Sequence, residues 1–148
     1  MRLLLTITLC LSLLACSATQ KSVTAKAKPL PTGVIWELAN IQSKDDLTGL
    51  PRAPGLYTLE FNEDASVAIR ADCNRGRGNW ASETAGQLNI TQIVTTRALC
   101  IPPSLHDRFL SDLNDTNSFT FNEGKLNLAT IAKGSFLEFF SSRTMQAK

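Results

Sequence analysis

His106 is the only histidine in this chain of 148 residues, and that count restricts the chemistry. A Ser-His-Asp relay needs a histidine as its base, and zinc sites built from several imidazoles are excluded. His106 stands beside Asp107 in a stretch of helical period. Its expected place is the solvent face of that helix, without a catalytic role. Cys73 and Cys100 each lack the second thiol of a Cys-x-x-Cys ligand pair. Gly76-Arg77-Gly78 lacks the spacing and the Lys-Ser/Thr of a phosphate-binding loop. Asp45-Asp46 and Glu63-Asp64 are carboxylate pairs of the kind that serve glycoside hydrolysis when they flank a cleft. Both fall in polar, turn-forming surroundings, where solvation accounts for them. No nucleophile–base pair, cofactor motif or metal-ligand set emerges, so the chain is expected to be non-enzymatic, with no cofactor and no metal. One cationic group remains: Arg75, Arg77 and Arg97. Brought together, they can hold an anionic headgroup or a partner's carboxylate. The alternative pairs Arg97 internally with Asp72 and leaves Arg75 and Arg77 in water.

The elements that would position these residues are short. Residues 34–38 read as a first strand, and 43–55, rich in Asp, Gly and Pro, as a loop. Tyr57, Leu59 and Phe61 alternate with polar neighbours, as do Val67 and Ile69 in 66–71, which predicts a hairpin turning at 62–65. Further strands are expected at 79–81, 87–90 and 92–95, then a hairpin over 119–128 and a closing strand at 136–140. One helix is expected after Ser104. Ser104 and Asp107 have the spacing of a capping box with Asp in place of Glu, and Leu105, Phe109, Leu110 and Leu113 recur on one helical face. Eight or nine strands with one helix predict a mainly β, α+β domain. Such short strands leave open sheet edges unless the sheet curls, so a small incomplete antiparallel β-barrel capped by the helix is the expected architecture.

The N-terminus carries Arg2, an apolar run from Leu3 to Leu14, then Ala15 and Cys16. The run is far short of the roughly 20 residues of a spanning helix, and it has the layout of a secretory signal. Leu13-Leu14-Ala15-Cys16 resembles the lipobox of bacterial lipoproteins. The resemblance implies that residues 1–15 are removed and that Cys16 is acylated. Ser17 after it resembles the pattern that sends lipoproteins to the outer membrane. An uncleaved anchor, or a cleaved signal that leaves Cys16 as a free thiol, are the competing readings. Residues 16–33 then form a lipidated polar tether, 34–141 the folded domain and 142–148 a polar tail. Within 34–141 there are nine Lys/Arg and thirteen Asp/Glu, a net charge of −4. That sign argues against nucleic acid, which needs a basic face. Lys21, Lys26 and Lys28 lie in the tether, beside the expected membrane surface. With Cys10 lost and Cys16 lipidated, Cys73 and Cys100 are the remaining pair in an oxidising compartment, and a disulfide between them is expected. Two buried thiols are the alternative.

Asp72-Cys73-Asn74-Arg75-Gly76-Arg77-Gly78-Asn79-Trp80 is the densest local signal. The glycines permit positive φ, Asn74 can hold a turn through its own backbone, and Trp80 would pack inward. The reading is therefore a sharp reversal over 74–78, stapled by Cys73 and Cys100. With Trp36-Glu37-Leu38 before it and Thr96-Arg97-Ala98-Leu99-Cys100 after it, the chain resembles the META domain family, which includes HslJ-like bacterial envelope lipoproteins. The likeness spans about residues 34–141. Asp72 stands where the family usually has Gly, Trp80 replaces a usual Tyr, and the usual Met between Arg97 and Cys100 is missing. The resemblance implies a small incomplete barrel with a helix, an envelope location linked to stress responses, and no established catalytic activity. It marks Trp36, Asn74, Gly78, Trp80 and Arg97 as family positions, and Gly76 joins them as a structural residue of the expected turn.

The expected function is that of a lipid-anchored protein on the periplasmic face of the outer membrane, a monomeric, non-enzymatic binding or envelope-stability module. Its partner is expected to be an envelope protein, or a lipid entering the barrel mouth. In the latter case Phe119, Phe121, Phe136 and Phe139 would supply an apolar lining, although plain core packing is the expected role of these four. Two rivals stand beside this: an inhibitor of an envelope hydrolase presenting a loop near Arg52–Gly55, and a small envelope hydrolase.

Overall fold

The structure, a computed structural model, describes residues 29–44 and 48–142. Cys16, the signal segment, Asp45-Asp46 and the tail from 143 lie outside the described residues. Eight strands and one helix follow in the order β1 (Ile35–Gln42), β2 (Tyr57–Phe61), β3 (Ser66–Ala71), β4 (Asn74–Ala81), β5 (Asn89–Thr95), α1 (His106–Asn114), β6 (Thr116–Asn122), β7 (Lys125–Thr130) and β8 (Phe136–Ser141). All pair antiparallel in one sheet of order β5-β4-β3-β2-β1-β8-β7-β6. First and last strands therefore meet in the middle, and α1 joins the two outer strands.

The sheet curls until those outer strands approach. Leu88 N–H donates to Asn117 O (3.0 Å) and Phe119 N–H to Gly86 O (2.8 Å), around a bridge between Gln87 and Ser118. These few bonds join the edges at one end, and α1 packs where the barrel stays open. This is the expected incomplete barrel capped by a helix. Alternating residues fill it: Tyr57, Leu59 and Phe61 on β2, Val67, Ile69 and Ala71 on β3, Leu126 and Leu128 on β7, Leu137 and Phe139 on β8. Phe109 and Leu113 of α1 are fully buried against them, each stabilising the fold by about 1.5–3 kcal/mol.

The β2–β3 hairpin has the predicted bounds. Elsewhere non-local packing alters the reading. β1 runs to Gln42, because a bulge between Leu38 and Asn40 resets its alternation and buries Ile41. The segments 87–90 and 92–95 belong mostly to one strand, β5, irregular opposite Arg77–Asn79 and with Gln92 at φ 53°. Leu30 is buried in the core and Gly33 N–H donates to Phe61 O (2.8 Å), so the domain takes in residues the tether was expected to contain. The helix starts at His106 without a side-chain cap: Ser104 Oγ accepts from His106 N–H (3.2 Å), a tight local bond in place of the capping box.

The reversal expected over 74–78 sits two residues earlier, at Asp72-Cys73. Asp72 has φ 60°, a left-handed conformation that a short polar side chain tolerates better than most. Gly76 and Gly78 are strand residues of β4 with ordinary negative φ. They are needed for a different reason. A Cβ on Gly76 would lie 2.5 Å from Val94 O, and one on Gly78 would lie 2.9 Å from Thr91 O. β5 crosses β4 so closely here that no side chain fits between them.

Candidate functional site

The tight Asp72-Cys73 turn faces a second segment, Thr96–Ser104, which leads from β5 to the helix. Cys73 and Cys100 form a disulfide with Cα atoms 5.5 Å apart, as expected from the cysteine count. Asn74, almost fully buried, adds a second clamp. Its Nδ2 donates to Ala98 O (3.0 Å), and its Oδ1 accepts from Ala98 N–H (2.7 Å) and Thr96 Oγ1–H (2.8 Å). Asn74 thus holds a distant segment, and not its own turn as its type had suggested. Thr96 N–H donates to Arg75 O (2.9 Å), extending the strand pairing up to the clamp.

Arg52 supplies a third support. Its guanidinium donates to Asp72 Oδ1 (2.6 Å) and to Ile101 O (2.5 Å). Asp72 is completely buried, and its second oxygen accepts from Tyr57 OH (3.4 Å). Tyr57 OH in turn accepts from Leu105 N–H (2.7 Å) at the start of the helix. A buried carboxylate without its cation would carry a large desolvation penalty, so Arg52 is bound inward. One expectation changes here: Arg97 is not the partner of Asp72. Residues 52–54 are exposed, as expected of the loop near Arg52–Gly55, with the Arg52 guanidinium tied to Asp72 and Ile101.

Clamped on both sides, the segment leaves Leu99 entirely in solvent (101% relative exposure) and Ile101 largely so. A cleft of about 530 Å³ separates it from the helix, lined on one side by Arg97, Ala98, Leu99 and Cys100 and on the other by His106, Asp107 and Leu110. Ser, His and Asp side chains therefore gather in one cleft, but not as a relay. Ser104 Oγ lies against Tyr57 OH (3.4 Å) and the His106 amide (3.2 Å). His106 Nδ1 meets Asp107 Oδ1 (2.9 Å), and its Nε2 is enclosed with no hydrogen-bond partner. His106 is half-buried, against the expectation of a solvent face, because its ring turns toward the cleft.

The other sequence candidates do not form one site. Arg75 and Arg77 are exposed and flank Gly76 in a shallow cleft of about 440 Å³ with Val94, Thr95 and Thr96. Arg97 lines the larger cleft beside the disulfide. The four phenylalanines are also dispersed. Phe139 and Phe119 are core residues and Phe136 is 55% exposed. Phe121 packs edge-on against Trp36 with centroids 5.5 Å apart. Strand alternation sends Phe136 outward and Leu137 and Phe139 inward, so no aromatic mouth forms, and the core packing expected of these side chains holds for Phe119 and Phe139. Trp80 packs on Phe61 and donates from Nε1 to Asn62 O (3.0 Å).

Sequence reasoning missed a second buried carboxylate. Asp112, on the inner face of α1, lies 3.1 Å from Lys133 Nζ and 3.8 Å from Arg108 Nε. The signal was its spacing, since position 112 falls on the same helical face as Leu105 and Phe109. Among the described residues no group of three or more His, Cys, Asp or Glu could hold a metal ion, and no helix is long and apolar enough to cross a membrane.

This fold and these motif positions agree with a family profile, that of the META domain, which matches residues 29–144. The chain belongs to the META domain family. The match begins near Leu30, where the core also begins. Solved structures with this domain's fold include a protein from Burkholderia xenovorans determined by NMR, at 20% identity and TM-score 0.62, covering 78% of this chain and 92% of that one. A DUF4847 family protein from Bacteroides vulgatus aligns at 17% identity and TM-score 0.53, over 72% and 91% of the two chains. A further NMR structure aligns at 22% identity and TM-score 0.56, over 76% and 92%. At these identities the likeness is one of fold alone. No curated protein matches the chain significantly.

Proposed function

We propose that this META domain protein is a lipoprotein of the bacterial outer membrane whose domain works in the periplasm as a monomeric, non-enzymatic capture module. Cys16 directly behind Leu13-Leu14-Ala15 carries the reading: it makes the N-terminal segment a lipoprotein signal and gives the polar stretch after it the role of a tether. The Cys73–Cys100 disulfide is consistent with an oxidising compartment outside the cytosol. Tethering would confine the domain to a thin layer and raise its effective concentration against envelope partners.

Within the domain, the clamped segment Thr96–Ile101 is the best surface for capture. It presents Leu99 and Ile101 to solvent from a backbone held by a disulfide, Asn74 and Arg52. The hydroxyl of Ser104 is engaged away from His106 Nε2, which supports a binding role over a hydrolytic one. A lipid in the barrel mouth loses support, since Phe119 and Phe139 are packed in the core. The test is metabolic labelling with palmitate and fractionation of the envelope. Label on the wild-type chain and its loss, with release from the outer membrane, in Cys16→Ser are the expected results. An unlabelled chain, or a Cys16→Ser chain that stays in the same fraction, refutes the anchor.

A further inference from the structure

We infer that the segment Ala98–Ile101 is an inhibitory loop that docks in the active-site cleft of a serine endopeptidase, with Leu99 in the pocket for the primary side chain. This names the partner class of the capture surface proposed above and rests on that reading of the surface. Four observations carry it.

First, an endopeptidase binds its target as an extended strand with one side chain held in a pocket. Here Leu99 projects fully into solvent, with Ile101 largely exposed two residues on, from a segment with no helix, no sheet pairing and no left-handed residue. Second, among the described residues no hydrogen bond is made to the backbone N–H or C=O of Leu99. Both groups are open for strand-like pairing with a cleft. Third, the flanking groups are already occupied from within the domain. Ala98 N–H and C=O are held by Asn74, the Cys100 side chain by Cys73, and Ile101 C=O by Arg52. The loop therefore loses little conformational freedom on docking, which is the main route to tight binding from a small surface. Fourth, the cleft of about 530 Å³ behind the segment sets it off from α1. An enzyme's rim can close around it.

The position of the disulfide explains how such a loop inhibits without being consumed. When the enzyme's serine oxygen bonds to the Leu99 carbonyl carbon, the Leu99–Cys100 peptide bond breaks and the Cys100 amine takes up the proton. That amine does not diffuse away. Cys100 stays bonded to Cys73, and the chain after it stays in the sheet through β8 paired with β1. The amine remains beside the acyl group and attacks it again, re-forming the peptide bond and releasing the serine. Water, which would complete hydrolysis by adding hydroxyl to Leu99 and a proton to the serine, competes poorly with a tethered amine.

The test uses the chain expressed with all its residues and purified from the envelope, assayed against subtilisin and chymotrypsin, whose primary pockets are apolar, and against trypsin. The wild-type chain is expected to inhibit one or both of the first two and not trypsin. Leu99→Asp should weaken that inhibition at least about 30-fold, as expected for a central contact residue. Leu99→Lys should transfer it to trypsin. Leu99 is fully exposed, so both variants fold, and retention of the disulfide and of the thermal transition checks this. The inference is overturned if the wild-type chain inhibits neither apolar-pocket enzyme, if it is cut after Leu99 and lost as an ordinary substrate, or if both substitutions leave inhibition unchanged. Leu99-dependent binding to phosphatidylethanolamine–phosphatidylglycerol vesicles without inhibition would likewise overturn it and assign the loop to a membrane surface. The assay is run in solution, so its failure leaves the Cys16 anchor standing, and absence of palmitate leaves the loop standing.

Discussion

Replacing Gly76 by alanine tests why two glycines sit in the middle of a strand. An added Cβ would lie 2.5 Å from both Val94 O and Thr95 Cγ2, and 3.2 Å from Thr95 Cα. The Thr95 methyl can rotate away, but the Val94 carbonyl is backbone and moves only with β5. Overfilling a packed site of this kind costs about 1–3 kcal/mol, and the rigid carbonyl puts Gly76 near the upper end. Against this, alanine restricts the unfolded chain and returns about 0.4–1 kcal/mol. A net loss of about 2 kcal/mol follows. For a domain of this size that lowers Tm by about 8 °C, at about 4 °C per kcal/mol. Gly78→Ala meets Thr91 O at 2.9 Å and Ile93 Cγ1 at 3.3 Å, a milder clash worth about 1 kcal/mol net. Thermal unfolding followed by circular dichroism gives both values. Because Thr95 leads into the clamped segment, Gly76→Ala should also shift the amide resonances of Thr96 and Ala98. A Gly76→Ala protein as stable as wild type would refute the close-approach argument. So would a Gly78→Ala protein less stable than Gly76→Ala, since the two distances rank the clashes the other way.

Three further outcomes are expected. Arg52→Ala strands the buried Asp72 carboxylate and should cost about 3 kcal/mol, the lower end for a broken buried pair because Arg52 is a third exposed; adding Asp72→Asn should recover part of that loss in urea unfolding, and a double variant no better than the single contradicts it. Cys73→Ala/Cys100→Ala, which opens a loop with a sequence separation of 27, should cost about 3.5 kcal/mol in the loop-entropy picture, read from the same unfolding curves. Asp64 accepts from the Ser66 hydroxyl (2.6 Å) and amide (2.9 Å), and those bonds hold its carboxyl below the usual 3.8. A depressed carboxylate stabilises the fold above its unfolded value and loses that contribution as pH falls through the folded one, so the β2–β3 turn should loosen only below pH 3.8; a Ser66 amide resonance titrating at or above that value in NMR would contradict it.

Local patterning was enough for the parts of the barrel that obey it. Tyr57–Phe61 and Ser66–Ala71 keep an unbroken period of two and were readable to the residue. The helical face of Phe109 and Leu113 was equally plain. What escaped depends on neighbours distant in sequence. Gly76 and Gly78 look like turn formers, and only the approach of β5 shows them to be strand residues. Ile41 falls out of phase with Leu38 until the bulge opposite β8 is known. The clamp was half legible: the cysteine count suggested the staple, whereas Asn74, Asp72 and Arg52 found partners 15 to 49 residues away that no local rule names. A buried Asp72 does demand a cation, but several arginines were equally eligible by type.

The central claim is that Asn74 and the Cys73–Cys100 bond hold Thr96–Ile101 as a fixed surface and not as a mobile loop. Backbone ¹⁵N relaxation of these six amides is the most direct measurement. Order parameters of about 0.85 are expected in the oxidised wild-type chain, matching its strands, with a fall below about 0.6 in Asn74→Ala after reduction. Values already below 0.6 in the oxidised wild-type chain, or values unchanged when both clamps are removed, would contradict the account.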